Sequence, residues 1–256
     1  MFNYINILIY NIYKLVKKIE KKFRITLFFI FPSRIFHVSI ERLFLDKIPS
    51  KNFCNISNYF LKKINKKSLT VISAGIGTDA SFEATMIKKF NIKKLIAIDP
   101  TPIGKKTIKK IKSKKIYFEN KALYIHNKKI EAFVPFEEDN TNVNVSIDNL
   151  YNTSKYILLK SINLKKLLKI YNIKIIDILK LDIEGVADKV IEDCIKNTCL
   201  PKQITFEIER PYSILKQIDF FKRFINLIIL LKSSYKVYYT GTEKLGFRSE
   251  ILAVLK

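Results

Sequence analysis

Short apolar runs alternate with stretches of helical periodicity along most of the chain. The predicted strands are 70–74, 94–98, 115–120, 175–182, 203–209, 235–239 and 251–255. The predicted helices between them are 81–90, 103–112, 161–171, 186–196 and 214–231. Strands that alternate with helices favour a doubly wound, mostly parallel α/β sheet, and the two adjacent strands that close the chain predict an antiparallel C-terminal strand.

Residues 1–22 carry apolar side chains at helical spacing together with many lysines, which predicts a basic amphipathic helix. We therefore divide the chain into an N-terminal helical extension, residues 1–54, and an α/β domain, residues 55–256, in which a helix at 55–67 precedes the first strand. The first helix either packs on the domain or binds an anionic membrane surface through residues 1–31. It lacks the early positive region and the cleavage site of a secretory signal, and it is too short to span a bilayer.

The composition is strongly basic, with 47 Lys and Arg against 23 Asp and Glu and a net charge of +24. The lysines are spread along the chain and accompany abundant Ile, Asn, Tyr and Phe, residues that share A/T-rich codons. We therefore attribute the charge to genome composition and do not expect nucleic acid as a partner. A functional contact with an anionic membrane or with nucleic acid is the alternative explanation of this charge.

Cysteine and histidine are scarce. Cys54, Cys194 and Cys199 form neither an even disulfide set nor a zinc knuckle, and the two histidines are far apart in sequence. The cysteines predict a reduced, cytoplasmic protein, with peripheral attachment to the inner membrane face through the first helix as the alternative. The histidines argue against a Ser-His-Asp triad. Catalysis would then depend on carboxylates, lysines and the backbone, and the sequence assigns no metal ligand.

A glycine turn follows the first strand, where Gly75 and Gly77 flank one residue before a helix begins. Glycine permits backbone angles that other residues avoid and lets a ligand approach the main chain. A strand, a glycine turn and a helix form the nucleotide pocket of open α/β sheets. Asp99 ends the second strand, where a carboxylate can accept hydrogen bonds from ribose hydroxyls. Its alternative role is to cap the segment that follows.

Three stretches together resemble class I S-adenosylmethionine-dependent methyltransferases of the FkbM-like group. They are Val71–Glu83, Ala97–Pro102 and Asp177–Gly185, of which the third is the most specific. The resemblance implies a Rossmann-like methyltransferase fold and S-adenosylmethionine as cofactor, with Gly75 and Gly77 at its amino-acid part. It also implies that Asp99 binds the ribose and that residues 120–122 lie near the adenine. The implied cofactor-binding residues are Gly75, Ile76, Gly77, Asp79, Asp99, Pro100 and Ala122.

The sequence departs from the usual methyltransferase pattern at two positions. Ser73 stands where an acid often ends the first strand, and Asp79 stands where a third glycine is common. The turn also matches the dinucleotide fingerprint Gly75-x-Gly77-x-x-Ala80, so an NAD(P)-dependent oxidoreductase is one alternative function. A non-catalytic membrane-surface adaptor on a degenerate methyltransferase fold is another.

Asp182 and Glu184 are the predicted catalytic residues. They lie two residues apart, so in an extended backbone both point to the same side at the carboxyl edge of the sheet. They could orient an acceptor hydroxyl, hold the cofactor's ammonium group or share a metal ion, whereas a purely structural explanation is that acids favour a helix N-terminus. Glu207 and Glu209 end the next strand and are weaker candidates, of which at least one is expected to face solvent.

The resemblance also implies a reaction. FkbM-like enzymes often methylate hydroxyls of sugars or secondary metabolites, so the predicted function is O-methylation of such a hydroxyl. The predicted partner is accordingly a small-molecule or glycan acceptor.

Overall fold

The structure is a computed structural model that describes residues 45–49, 51–64, 68–135, 145–211, 214–242 and 248–256. The predicted helix at 1–22, and the surface that residues 1–31 would offer to a membrane, lie outside these residues. None of the helices in the described ranges is long and apolar enough to cross a membrane.

Each strand and helix of the predicted α/β alternation is present. The strands are β1 (Asp46–Lys47), β2 (Phe53–Ile56), β3 (Tyr59–Lys62), β4 (Leu69–Ala74), β5 (Ile92–Ile98), β6 (Ile116–Glu119), β7 (Ala122–Leu123), β8 (Lys129–Phe133), β9 (Tyr156–Ile162), β10 (Ile178–Leu181), β11 (Gln203–Glu209), β12 (Tyr235–Thr242) and β13 (Arg248–Leu255). The helices are α1 (Ser81–Lys89), α2 (Pro102–Ile108), α3 (Leu164–Ile170), α4 (Ala187–Lys196) and α5 (Ile214–Ser234).

Eight strands form one sheet in the order β1-β12-β13-β11-β10-β4-β5-β6. The five strands from β11 to β6 pair in parallel, whereas β13 is antiparallel to both of its neighbours. The predicted sheet, mostly parallel with an antiparallel C-terminal strand, is therefore confirmed. The chain order reverses between β4 and β10, and open α/β sheets bind their ligands at such a switch point.

Apolar side chains pack on both faces of the sheet because alternate residues of a strand point to opposite sides. On one face Ile72, Leu179 and Phe206 pack with the buried residues of α3, α4 and α5. On the other face Val71 and Leu95 pack with residues of α1, α2 and β3. Strands covered on both sides are rich in apolar residues, which is why the sequence predicted them.

The predicted helix at 55–67 is wrong, because β2 and β3 form an antiparallel hairpin there. Ser57 and Asn58 connect the two strands with positive φ, +47° and +73°. Such angles at both central residues are typical of two-residue hairpin turns, in which asparagine is favoured. Tyr59 and Leu61 of β3 are both buried, a spacing of two that belongs to a strand rather than to a helix.

A separate group of strands lies beyond the main sheet, in the order β7-β9-β8. β7 follows closely after β6, and β9 runs parallel to β7 and antiparallel to β8. Leu123 and Leu159 from these strands reach the cleft described next. This insertion therefore supplies part of the apolar wall of that cleft.

Candidate active site

The glycine turn after β4 lies against the end of β10. Gly75 has a φ of +81°, and a Cβ at this position would lie 1.8 Å from the carbonyl oxygen of Asp182. Gly77 also has a positive φ, +53°. Because a side chain at Gly75 would fit neither the backbone angle nor the space, glycine there allows the ends of two neighbouring strands to meet. The predicted turn thus lies at the switch point of the sheet.

Asp99 is buried beneath this turn. Its Oδ2 accepts hydrogen bonds from the amides of Ile76 at 2.8 Å and Gly77 at 2.9 Å. Its Oδ1 accepts from the amide and the hydroxyl of Thr101, at 2.8 and 2.5 Å. A carboxylate offers about four acceptor positions, so Asp99 uses its full capacity to fasten the glycine turn to the start of α2. The structure shows the capping role, in a buried rather than a surface position, and the contact with ribose stays a prediction.

A buried acid from α1 contacts Ser73, the residue of β4 at which the sequence departs from the usual methyltransferase pattern. The hydroxyl of Ser73 donates a hydrogen bond to Oε1 of Glu83, and both side chains are fully buried. Burial raises the pKa of Glu83, although the nearby ammonium group of Lys180 opposes this effect. A carboxylate from outside the strand therefore lies beside this position.

Asp182 is oriented by two residues that the sequence analysis did not single out. Its Oδ2 accepts hydrogen bonds from the hydroxyl of Tyr59 at 2.7 Å and from Nζ of Lys180 at 3.2 Å. Lys180 is 3% exposed and also donates to the carbonyl oxygen of Gly75 at 2.5 Å. Burial by itself would raise the pKa of Asp182, but the charge of Lys180 and the hydrogen bond from Tyr59 hold that pKa below its usual value.

Glu184 has a different cationic partner. Nη2 of Arg248, the first residue of β13, lies 3.2 Å from Oε1 of Glu184. Nη1 of the same arginine lies 3.8 Å from Oε2 of Glu207. The charge of Glu184 raises the pKa of Arg248. The side chains of the two predicted catalytic acids are thus oriented by different cations, Asp182 by Lys180 and Glu184 by Arg248.

Glu207 and Glu209 end β11 beside these acids. Oε2 of Glu209 accepts a hydrogen bond from the amide of Gly185 at 2.9 Å, and Oε1 of Glu207 lies 3.4 Å from the hydroxyl of Tyr59. Burial together with the charge of Asp182 raises the pKa of Glu207 to about 7, and burial raises the pKa of Glu209 well above its usual value. The expectation that one of them faces solvent is wrong, because Glu209 is 4% exposed and the Glu207 side chain 14%.

Three of these acids have the spacing of metal ligands. One carboxylate oxygen from each of Asp182, Glu207 and Glu209 lies within 4.8 Å of those of the other two. One alternative from the sequence was that Asp182 and Glu184 share a metal ion, but Glu184 does not belong to this group of three.

Two adjoining cavities meet at the turn and share Gly75, Asp99, Asp182 and Glu184. We call the first the apolar lobe; its wall includes Ile98, Pro100, Ala122, Leu123, Leu159 and Val186. We call the second, of about 250 Å³, the polar lobe; its wall includes Tyr59, Ile76, Gly77, Asp79, Lys180 and Arg248. All the residues predicted to bind a cofactor, and both predicted catalytic acids, therefore line these two adjoining cavities, which we call the cleft.

Sequence reasoning missed Tyr59, Lys180 and Arg248. The sequence does contain a signal for Lys180, because it lies inside an otherwise apolar strand, where a buried lysine nearly always has a charged partner. The sequence contains no such signal for the other two residues. Tyr59 lies 123 residues from Asp182 in sequence, and Arg248 lies 64 residues from Glu184. Spacing along the chain does not report such long-range contacts.

A family model described as the methyltransferase FkbM domain matches residues 48–248. The chain belongs to this family. The family predicted from the sequence is therefore confirmed. No curated protein sequence matches the chain.

Solved structures similar to this FkbM-family chain include three methyltransferases. The FkbM methyltransferase of Methylobacillus flagellatus KT is 13% identical with a TM-score of 0.47, and the match covers 73% of this chain and 44% of that chain. Precorrin-6y C5,15-methyltransferase of Geobacter metallireducens GS-15 is 11% identical with a TM-score of 0.39, over 75% of this chain and 82% of that chain. TrmK of M. capricolum, in complex with S-adenosylhomocysteine, is 11% identical with a TM-score of 0.38, over 74% and 63%. The chain thus spans less than half the length of the M. flagellatus protein.

The predicted catalytic acids have a defined place in the cleft. The acids of this FkbM-family chain lie where the two lobes join, at the switch point of the sheet. A carboxylate held in this way can accept a hydrogen bond or a proton from a hydroxyl group.

Proposed function

We propose that this FkbM-family protein is an S-adenosylmethionine-dependent O-methyltransferase that acts on a hydroxyl of a sugar or another small metabolite. The observation that carries the proposal is the two-lobed cleft, with an apolar lobe, a polar lobe and two acids at their junction. S-adenosylmethionine has the same division, with adenine at one end, a charged amino acid at the other and the reactive methyl group between them. In this arrangement Asp182 and Glu184 would lie nearest to the methyl group.

The lining residues fit the two ends of this cofactor. Ala122 and Leu123 offer an apolar surface to adenine, and the backbone around Gly77 lies beside the positive end of α1, which favours a carboxylate. Asp99 already accepts four hydrogen bonds. In our proposal it therefore supports the turn that holds the cofactor, and a contact with ribose would replace one of these bonds.

The bound cofactor supplies a methyl group on a positively charged sulfur, and its transfer to a hydroxyl requires in-line alignment and a proton acceptor. Tyr59 and Lys180 fix the direction of Asp182, while Arg248 fixes that of Glu184. Carboxylates in these positions attract a cationic group and can orient an acceptor hydroxyl. The chain's own contribution is thus alignment and proton acceptance.

Cofactor binding is tested by calorimetric titration of the purified protein with S-adenosylmethionine, S-adenosylhomocysteine and NADH. We expect the first two to bind and NADH not to bind. Gly77→Val should abolish binding in a folded protein, because a β-branched residue is strained at a φ of +53° and projects from the turn. Binding of NADH alone would favour the oxidoreductase alternative, and binding of none of the three would favour the adaptor.

Catalysis is tested by following methyl transfer from labelled S-adenosylmethionine to a panel of sugars and hydroxylated metabolites. With an accepted substrate, Asp182→Asn or Glu184→Gln should lower turnover by roughly 100-fold, because the amide keeps the shape but accepts no proton. Glu131→Gln, an exposed acid on β8, is the matched control and should leave turnover unchanged. Wild-type turnover in both amide variants would show that these acids are not catalytic.

A further inference from the structure

We propose that Asp182, Glu207 and Glu209 bind a divalent cation of the oxygen-preferring class, such as Mg²⁺, Mn²⁺ or Ca²⁺, at the carboxyl ends of β10 and β11. One oxygen from each side chain lies within 4.8 Å of those of the other two. Ligands on opposite sides of such an ion are about 4–5 Å apart, twice a metal–oxygen distance of about 2.0–2.6 Å. The three carboxylates are therefore already spaced as ligands of one ion.

Each of the three acids has one oxygen that a neighbouring group contacts. Tyr59 and Lys180 both bond Oδ2 of Asp182 and leave its Oδ1 for another partner. The hydroxyl of Tyr59 also approaches Oε1 of Glu207, and the amide of Gly185 bonds Oε2 of Glu209. Groups that orient carboxylates in this way are a regular feature of metal sites.

One oxygen of each glutamate lacks a hydrogen-bond donor among the described residues. Oε2 of Glu207 and Oε1 of Glu209 are buried and receive no hydrogen bond within the described part of the chain. Arg248 comes no closer than 3.8 Å to Oε2 of Glu207, which is beyond hydrogen-bond distance. Glu209 is 4% exposed, so bulk water does not reach it. A buried carboxylate oxygen without a partner is destabilising, and a bound cation removes that cost.

The chemistry of the donors selects the class of ion. All three are carboxylates, which suit Mg²⁺, Mn²⁺ and Ca²⁺, whereas Zn²⁺ and Cu²⁺ favour nitrogen and sulfur ligands. The group of potential ligands found among the described residues contains neither histidine nor cysteine.

The site adjoins the cleft, since Asp182 and Glu207 also line the polar lobe. If the proposed function holds, a cation there would bind the acceptor hydroxyl and favour loss of its proton. This catalytic consequence rests on the proposed function, whereas the binding site itself rests on the geometry of the three acids.

The experiment is a titration of the full-length protein with Mn²⁺, in which electron paramagnetic resonance measures the unbound ion and Mg²⁺ or Ca²⁺ competes. We expect one ion per chain. Glu207→Gln and Glu209→Gln should each weaken Mn²⁺ binding by at least about tenfold. The matched control is Glu250→Gln, because Glu250 lies opposite Glu207 in the sheet but outside the group of three. In physiological salt, the Mn²⁺ affinity of this variant should stay within about twofold of the wild-type value.

Thermal unfolding in EDTA separates loss of the site from loss of the fold. Both glutamine variants should remain folded, because glutamine keeps the shape of the side chain and adds no buried charge. Added Mg²⁺ should then raise the unfolding temperature of the wild type and of Glu250→Gln, but not of Glu209→Gln. Absence of Mn²⁺ binding in the wild type, or full affinity in both variants, would overturn the proposal.

The outcomes also separate this site from the proposed function. Mn²⁺ binding that depends on Glu207 and Glu209, in a protein without methyl transfer to any acceptor, would support the cation site and count against the methyltransferase proposal. Methyl transfer by a chain that binds no Mn²⁺ would support the function and overturn the site.

Discussion

Asp99 shows how one carboxylate can set the shape of a glycine turn. Two of its four hydrogen bonds fix the amides of Ile76 and Gly77, and the other two fix Thr101. Thr101 in turn accepts a hydrogen bond from the amide of Gly104 in the first turn of α2. The geometry of the glycine turn therefore depends on a side chain more than twenty residues away, and stability and cofactor binding should be linked at this position.

The first prediction is that Asp99→Ala lowers the free energy of unfolding by about 2–4 kcal/mol, because it leaves several buried donors without an acceptor. Urea denaturation measures the change, and calorimetry should show weaker S-adenosylmethionine binding in the same variant. Asp79→Ala is the comparison, since Asp79 bonds Ser81 at the exposed end of the same turn and its loss should cost no more than about 1 kcal/mol. Unchanged stability of Asp99→Ala with lost cofactor binding would instead assign Asp99 to the ribose.

At the scale of elements, the β2–β3 hairpin completes the site from outside the main sheet. The hydroxyl of Tyr59 contacts carboxylate oxygens of Asp182 and Glu207. The ring of Tyr59 lies edge-on to that of Phe82, with ring centres 5.5 Å apart, and the ammonium group of Lys180 lies 5.0 Å from the centre of the Tyr59 ring. The backbone of Lys62 in the same hairpin exchanges two hydrogen bonds of 2.8 Å with the side chain of Gln203. The hairpin is therefore fastened to β11, and its position fixes the direction of Asp182.

The second prediction is that Tyr59→Phe lowers turnover about tenfold with little change in cofactor affinity, because Asp182 loses one of its two orienting partners. The ring contacts remain, so the free energy of unfolding should fall by no more than about 1.5 kcal/mol. Steady-state kinetics, measured with a methyl acceptor that the wild type uses, gives kcat and KM separately. Tyr117→Phe, on the exposed side of β6, controls for the loss of a tyrosine hydroxyl. Unchanged kcat in Tyr59→Phe would show that Asp182 does not need this partner.

The elements that the sequence predicts well are those with one dominant physical signal. β4, β5, β10 and β11 are largely buried, and each is a short segment rich in apolar residues that is bounded by turns. The β2–β3 hairpin carries a weaker signal. Its turn is Ser57-Asn58 rather than the stronger Asn-Gly, and the alternation of apolar residues covers only four positions per strand. Short alternating segments are therefore easily taken for one face of a helix.

At the scale of the whole molecule, the order of strands determines which acids can meet. The sequence places Asp182 and Glu184 at the end of one strand and Glu207 and Glu209 at the end of another, and the parallel register of β10 and β11 sets these ends side by side. Which oxygen meets which donor depends on side-chain directions across β3, β10 and β13. Only the folded chain brings these elements together, so part of the lining of the cleft could be predicted, but not the contribution of Tyr59, Lys180 and Arg248 or the hydrogen bonds that they make.

The N-terminal limit of the domain also depends on long-range pairing. The predicted boundary between residues 54 and 55 falls inside β2, which pairs along its whole length with β3. Upstream of it, β1 runs parallel to β12 and extends the edge of the main sheet. Phe53 lies edge-on to Tyr238 of β12, with ring centres 5.2 Å apart. Residues before 55 therefore contribute contacts to both the hairpin and the sheet.

The last prediction is that a chain of residues 45–256 is more stable than one of residues 55–256. The shorter chain loses β1, half of β2 and the ring of Phe53, and Ile56 is left on a strand fragment that can no longer hold the hairpin. Loss of the burial of Phe53 and Ile56 should cost at least about 2 kcal/mol. For a domain of this size, that corresponds to a fall of about 4–8 °C in unfolding temperature. Calorimetric unfolding of the two chains measures the difference, and the shorter chain should also bind S-adenosylmethionine more weakly because Tyr59 lines the polar lobe. If the two chains had equal unfolding temperatures and equal affinities for S-adenosylmethionine, the domain would begin at residue 55, as the sequence predicted.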